Sequence, residues 1–212
     1  MRGGGEARWD GTGSGRVGKK EDVFEDLEAS VGWLSTGGIS SRHRIGSTGG
    51  SNGGLLMGAM ITRVPERFVA AASYVGLYDM VRYHQFPPAE LWVSEYGSAE
   101  DAAQFQTLHA YSPYHRVEAG TPYPAILVET ADHDSRVHWA HSTKFVASLQ
   151  EATSSGRPVH FYMERAMGHG AGTRLSDQAE KYARMFAVFD RCLAAGRRAG
   201  AAAAAPVGEA PE

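Results

Sequence analysis

The chain has 212 residues, of which 42% are hydrophobic and 21% are charged, and its formal net charge is -3. This length and composition predict a globular protein with a sizeable core. The charge disfavours nucleic acid and anionic membrane surfaces as partners, and the longest apolar runs are too short to cross a bilayer. Cys192 is the only cysteine, which excludes an internal disulfide and favours a reducing, cytoplasmic location.

Apolar periodicity and turn residues predict alternating helices and strands along the chain. The expected elements, in chain order, are a helix over 22–36, a weak strand over 43–49, a helix over 55–64, a strand over 67–76, a helical insertion over 78–118, a strand over 123–132, a helix over 138–153, a strand over 157–165 and a helix over 175–195. This alternation predicts an α/β fold in which a mostly parallel sheet is flanked by helices on both faces.

The two ends of the chain differ from this pattern. The first twenty residues contain no apolar stretch of the length that a signal peptide requires. Residues 196–212 are rich in alanine and contain almost no large apolar side chains, so we predict a disordered tail there. Residues 1–195 are accordingly assigned to a single domain.

The segment GGSNG, residues 49–53, matches the pattern G-x-S-x-G between a predicted strand and a predicted helix. That context is typical of a nucleophile elbow, in which a sharp turn exposes the serine hydroxyl, here that of Ser51. Glycines are expected beside it because side chains would collide across the turn. The N–H groups that begin the following helix would face the negative charge of an oxyanion. The pattern alone is weak evidence in a chain with 26 glycines.

Two further residues lie where the partners of such a serine are expected. A nucleophilic serine needs a general base, and the base needs a group that orients it. Asp134 follows the predicted strand over 123–132, and His169 lies in a glycine-flanked loop after the next strand. The order serine, acid, histidine is that of the α/β hydrolases. The sequence therefore predicts Ser51 as nucleophile, Asp134 as acid and His169 as base, with Asp132 as an alternative acid.

Two other kinds of site are disfavoured by the sequence. His133, His138 and His141 could form a metal site with Asp134, but the spacing of the last two histidines lacks the glutamate of H-E-x-x-H. The segment GSGRVG, residues 13–18, matches a dinucleotide-binding pattern but follows no predicted strand. We therefore expect neither a metal nor a cofactor.

Several blocks of sequence resemble the catalytic domain of the prolyl oligopeptidase family. These blocks are RGGGE (2–6), GGSNGGLL (49–56), WVSEYG (92–97), YSPYHRV (111–117), TADHDSRV (130–137), HSTKFVASLQ (141–150) and GHGAG (168–172), and the resemblance spans roughly residues 2–193. It implies an α/β-hydrolase fold and the hydrolysis of short peptides on the carboxyl side of proline. It also implies the same catalytic roles for Ser51, Asp134 and His169, and makes the backbone N–H of Asn52 an oxyanion donor.

The resemblance also implies which residues bind the substrate. Trp92 matches the tryptophan that stacks on the substrate proline, and a flat indole suits a rigid pyrrolidine ring. Tyr96 and Leu77 match other positions that line this pocket. Arg136 matches an arginine that donates hydrogen bonds to a substrate carbonyl, for which its several donors are well suited.

The chain departs from the family pattern in ways that predict a partial fold. No segment matches the N-terminal β-propeller of the family, the first strands of the hydrolase domain or the tyrosine that supplies a second oxyanion donor. We therefore expect a four-stranded, mostly parallel sheet whose strand before Ser51 is an exposed edge, marginal stability and impaired activity. A missing N-terminal half or propeller is then an expected partner. The alternative functions are a small-substrate esterase and a catalytically silent interaction fragment.

Overall fold

The computed structural model describes residues 2–3, 13–41, 43–170 and 174–204, with residues 196–204 as backbone only. Residues 4–12 and 171–173, which include parts of the blocks at 2–6 and 168–172, lie outside the described residues, as does the tail from 205 onward. The helices are α1 (Glu21–Thr36), α2 (Asn52–Arg63), α3 (Val93–Tyr96), α4 (Ala102–Tyr111), α5 (Ala140–Ala152) and α6 (Leu175–Ala204). The strands are β1 (Gly46–Gly50), β2 (Ala70–Tyr74), β3 (Ala125–Ala131) and β4 (Val159–Glu164).

The four strands form one parallel sheet in the order β1-β2-β3-β4. Strands β2 and β3 are buried along their whole length because helices cover both of their faces. Ala71 and Ile126 contact the core cluster that includes Phe145 of α5, whereas Ala72 and Leu127 pack with residues of α6 on the other face. The predicted parallel sheet with helices on both faces is thus confirmed.

Strand β1 lies at an edge of the sheet, since its one partner among the described strands is β2. This arrangement confirms the expected edge strand. The helices also carry exposed apolar side chains, with Trp33 of α1 and Leu175 and Phe186 of α6 all more than half exposed. None of the helices in the described part combines the length and the apolar character needed to cross a bilayer. The marginal stability expected from this edge stays a prediction.

Two of the differences from the predicted element boundaries have a clear local cause. Helix α2 begins at Asn52, directly after Ser51, rather than at residue 55, because the tight turn places the small residues 52–54 in its first turn. Helix α6 continues to Ala204, beyond its predicted end at residue 195. The predicted disorder of the tail stays a prediction. Alanine has the highest helix propensity of all residues, which explains how a segment without large apolar side chains can extend a helix.

Candidate active site

Ser51 lies on the turn between β1 and α2, at the carboxyl edge of the sheet. Its backbone has φ 57° and ψ -119°, a conformation that is strained for any residue with a Cβ. The Ser51 N–H donates to the Tyr74 carbonyl at 2.9 Å, and the Ser51 carbonyl accepts from the Leu55 N–H at 3.0 Å. These bonds fix the strained residue to β2 on one side and to the start of α2 on the other, as in a nucleophile elbow.

The glycines around Ser51 are not equally constrained. A Cβ on Gly49 would lie 2.4 Å from the Gly53 carbonyl oxygen, and one on Gly54 would lie 2.6 Å from the Gly76 Cα. By contrast, a Cβ on Gly53 would meet nothing within 4 Å. The prediction that both flanking glycines prevent collisions is therefore correct for Gly49. It is wrong for Gly53, at the start of α2, where an added Cβ would meet no atom within 4 Å.

This difference predicts different effects on stability for two alanine substitutions. Gly49→Ala is expected to lower the free energy of unfolding by about 1–3 kcal/mol, because the new methyl group would overlap backbone atoms that cannot move independently. Gly53→Ala, the matched control, is expected to leave that free energy nearly unchanged. Urea denaturation followed by tryptophan fluorescence measures both, and equal losses for the two variants would contradict this account of the turn.

Asp134, His169 and Ser51 form a continuous line of hydrogen bonds. The Asp134 side chain is fully buried, and its Oδ1 accepts from the backbone N–H groups of Arg136 and Val137 at 2.8 and 2.9 Å. Nδ1 of His169 lies 2.9 and 3.0 Å from the two carboxylate oxygens of Asp134, and Nε2 lies 2.9 Å from the Ser51 Oγ. Because a carboxylate can only accept, Nδ1 carries the proton and Nε2 is left free to accept from the serine hydroxyl.

The alternative acid, Asp132, has a different partner. Its Oδ1 lies 2.8 Å from Nδ1 of the exposed His133, and this hydrogen bond holds the pKa of the Asp132 carboxyl below its usual value. The loop after β3 therefore directs the two candidate aspartates to different histidines, Asp132 to His133 and Asp134 to His169.

Comparison with known proteins identifies the relatives of this chain. A model described as "Prolyl oligopeptidase family" (Peptidase_S9) matches residues 1–196. The chain belongs to the prolyl oligopeptidase family. It is 43% identical over 175 residues to a prolyl endopeptidase of Elizabethkingia miricola, which covers 81% of this chain and 24% of that protein. It is 36% identical over 198 residues to a prolyl endopeptidase of Dictyostelium discoideum, which covers 91% of this chain and 26% of that protein.

Solved structures give the same fold assignment. A structure from a study of two prolyl endopeptidases superposes with a TM-score of 0.89 at 40% identity, covering 91% of this chain and 28% of that chain. A post-proline cleaving enzyme from Rickettsia typhi superposes with a TM-score of 0.87 at 32% identity, covering 91% of this chain and 28% of that chain. The chain therefore has the α/β-hydrolase fold of the family's catalytic domain, and it spans about a quarter of the length of these relatives.

The residues that the resemblance to prolyl oligopeptidases assigns to substrate binding lie at different depths. The Tyr96 hydroxyl donates to the Asn52 Oδ1 at 3.0 Å, which ties α3 to the residue after Ser51. Trp92 is half-buried and packs beside the core cluster that contains Tyr96 and the fully buried Leu77. Pocket-lining roles for these side chains stay predictions.

Arg136 lies two residues after Asp134, the acid of the candidate triad. Its backbone N–H helps to hold Asp134, while its side chain is exposed. Among the residues that the structure describes, its guanidinium makes no hydrogen bond or ion pair. It is therefore free to donate to a carbonyl group of a bound molecule.

Two of the three histidines of the disfavoured metal site, His138 and His141, accept hydrogen bonds from the backbone. Nδ1 of His141 accepts from the N–H groups of Tyr78 and Asp79 at 3.2 and 3.1 Å, and burial lowers the pKa of this imidazole to about 4. Nδ1 of His138 accepts from the Ala140 N–H at 3.1 Å. Within the described ranges, no group of three or more metal-ligating side chains is assembled.

Two buried charge clusters near the site were missed by the sequence analysis. One joins Lys20 to Glu95, beside Tyr96, and the other joins Arg184 of α6 to Glu129 of β3. Glu95 lies inside the block WVSEYG, so its place next to Tyr96 could have been noticed. Lys20 gives no such signal, because a lysine at the start of an amphipathic helix is normally exposed.

Proposed function

We propose that the chain is a serine-type endopeptidase that cleaves short peptides on the carboxyl side of proline. The observation that carries this proposal is the unbroken line of hydrogen bonds from Asp134 through His169 to the Oγ of Ser51. A charge-stabilised imidazole with its free nitrogen 2.9 Å from a serine hydroxyl is the arrangement that activates an alcohol as a nucleophile.

In the proposed reaction, the Ser51 Oγ attacks the carbonyl carbon of the proline residue while the hydroxyl proton passes to Nε2 of His169. Asp134 stabilises the imidazolium that forms, and the Asn52 N–H donates to the carbonyl oxygen as it becomes an oxyanion. Nε2 then gives its proton to the leaving amine nitrogen as the C–N bond breaks. Water cleaves the acyl-enzyme by the same route, which returns the proton to Ser51.

The preference for proline rests on family membership and on the residues beside Ser51. Relatives that are 43% and 36% identical are named prolyl endopeptidases. In this chain, the Trp92 indole would stack on the proline ring, with Tyr96 and Leu77 completing the pocket. The exposed Arg136 would donate to a carbonyl on the amino side of the cleaved bond.

The test is covalent labelling of the full chain with a fluorophosphonate probe, which reacts with activated serines. We expect the wild-type chain to be labelled at one residue and Ser51→Ala to be unlabelled, because the nucleophilic oxygen is gone. Ser94→Ala, which removes an exposed serine from α3, is the control and should be labelled like wild type. An unlabelled, folded wild-type chain would instead support the silent interaction fragment.

Substrate class is decided by comparing three substrates on the same preparation. We expect turnover of a short peptide amide with proline before the cleaved bond to exceed that of the matched alanine peptide. Turnover of a short-chain acyl ester together with no peptide cleavage would favour the esterase.

A cytoplasmic location is part of the proposal because it suits the single cysteine. The proposal also includes a partner, a polypeptide equivalent to the N-terminal half of the relatives, which would cover the free edge of β1.

A further inference from the structure

A lysine is almost completely buried close to the candidate active site. The Lys20 side chain is 2% exposed, and its Nζ lies 2.8 Å from Oε1 of Glu95. The other carboxylate oxygen of Glu95 is 2.9 Å from Nε of Arg16. Burial lowers the pKa of the Lys20 ammonium, and the hydrogen bond to Glu95 opposes this shift. Because lysine is rarely buried so completely, this arrangement requires an explanation beyond general folding.

The buried ammonium faces the ring of a residue that reaches the active site. Nζ of Lys20 lies 4.8 Å from the centroid of the Tyr96 ring, within the range of a cation–π interaction. The Tyr83 ring packs edge-on against the same ring at 5.5 Å. These contacts fix the ring of Tyr96, whose hydroxyl donates to Oδ1 of Asn52 at 3.0 Å. Burial also raises the pKa of Tyr96, so the hydroxyl keeps its proton and remains a donor.

The hydrogen bond from Tyr96 matters for Asn52 because of where Asn52 lies. It is the first residue of α2 and is exposed, and it follows the strained backbone of Ser51. Among the residues that the structure describes, Tyr96 is the hydrogen-bond partner of the Asn52 side chain. An oxyanion donor contributes most when it is held in place before the reaction, because no energy is then spent on reorientation.

We infer that Lys20 and Glu95 are positioning residues for catalysis, which hold Tyr96 so that its hydroxyl fixes Asn52 beside Ser51. This inference rests on the proposed function, since the Asn52 N–H is assigned there as the oxyanion donor. It differs from a purely structural role, in which Lys20 and Arg16 would only attach the segment before α1 to α3 through Glu95.

The structural role and the positioning role predict different kinetics. We expect Lys20→Met and Tyr96→Phe each to lower kcat about tenfold, with KM changed less than twofold, since the loss falls on the transition state. If Lys20 acts through the Tyr96 hydroxyl, the double variant should be no slower than Tyr96→Phe alone. Lys20→Arg, which keeps the cation over the ring, should recover most of the lost kcat.

The matched control is Arg16→Met, which removes the other, half-exposed cation from Glu95 without touching the Tyr96 ring. We expect its kcat to stay within about twofold of wild type. Each variant is assayed at a temperature where fluorescence shows that it is folded, by ester or peptide turnover and by the rate of fluorophosphonate labelling. If Lys20→Met does not fold, Glu95→Gln takes its place in the cycle, with the same expected tenfold loss.

The outcomes separate this inference from the proposed function. A wild-type chain that is neither labelled nor active overturns both. A wild-type chain that is labelled through Ser51, together with a folded Lys20→Met that is labelled equally fast, overturns the positioning role alone. Multiplicative losses in the double variant, or a loss in Arg16→Met as large as that in Lys20→Met, would also overturn it.

Discussion

Replacing Asp134 by asparagine is expected to lower kcat about 10⁴-fold and to leave the fold intact. The asparagine Oδ1 can still accept from the N–H groups of Arg136 and Val137, so the loop after β3 keeps its shape. Its amide nitrogen, however, cannot accept the proton that Nδ1 of His169 now donates. The imidazole would then favour the tautomer with the proton on Nε2, which cannot take a proton from Ser51.

Asp132→Asn is the matched control for this experiment. It makes the same chemical change two residues away, where the carboxylate contacts His133 rather than His169. We expect its kcat to stay within about threefold of wild type, since it contacts no reacting group. The measurement is single-turnover kinetics with an ester or peptide, alongside urea denaturation. Equal losses for the two variants would mean that the triad is not formed by Asp134.

The fold could be predicted well from the sequence because the strands β2 and β3 are largely apolar segments, whose predicted bounds match the structure to within a few residues. It was less informative where glycine and alanine dominate. Residues 52–54 belong to α2, although their lack of apolar side chains concealed the helix start. Alanines after residue 195 extend α6, because helix propensity acts there without any hydrophobic pattern.

The candidate site was predictable for a similar reason. Strand ends in a parallel sheet meet at one edge, so residues that follow successive strands, such as Asp134 and His169, can be expected to lie together. The contacts that hold these residues in place were not predictable in this way. Whether Lys20 is buried, and which of two aspartates faces the histidine, depend on tertiary contacts between segments far apart in the chain.

A second charge cluster connects the sheet to α6 near the loop that carries His169. The Arg184 guanidinium makes two hydrogen bonds to the buried Glu129 of β3, at 3.0 and 3.3 Å, and also pairs with Glu164 at the end of β4. It lies over the Tyr162 ring at 3.9 Å. Burial raises the pKa of the Glu129 carboxyl, and the bond to Arg184 opposes this rise. Arg184 thus joins α6 to the carboxylates of β3 and β4.

Arg184→Met is therefore expected to lower the free energy of unfolding by about 3–5 kcal/mol at pH 7.5, because it removes the hydrogen-bonded partner of a buried carboxylate and leaves Lys181 as the nearby cation. Without the guanidinium, the pKa of Glu129 rises further, so the folded state binds a proton that the unfolded state releases. Stability then falls as the pH increases from 4.5 through the raised pKa, and the loss caused by the substitution should be smaller at pH 5 than at pH 7.5.

Arg191→Met supplies the control, since Arg191 is an exposed arginine on the same helix for which the described part of the chain shows no ion pair. We expect it to change the unfolding free energy by less than about 0.5 kcal/mol at either pH. Urea denaturation of both variants at the two pH values gives the four numbers needed. A loss in Arg184→Met that is independent of pH would show that the methionine acts through packing, and that the charge on Glu129 is balanced without Arg184.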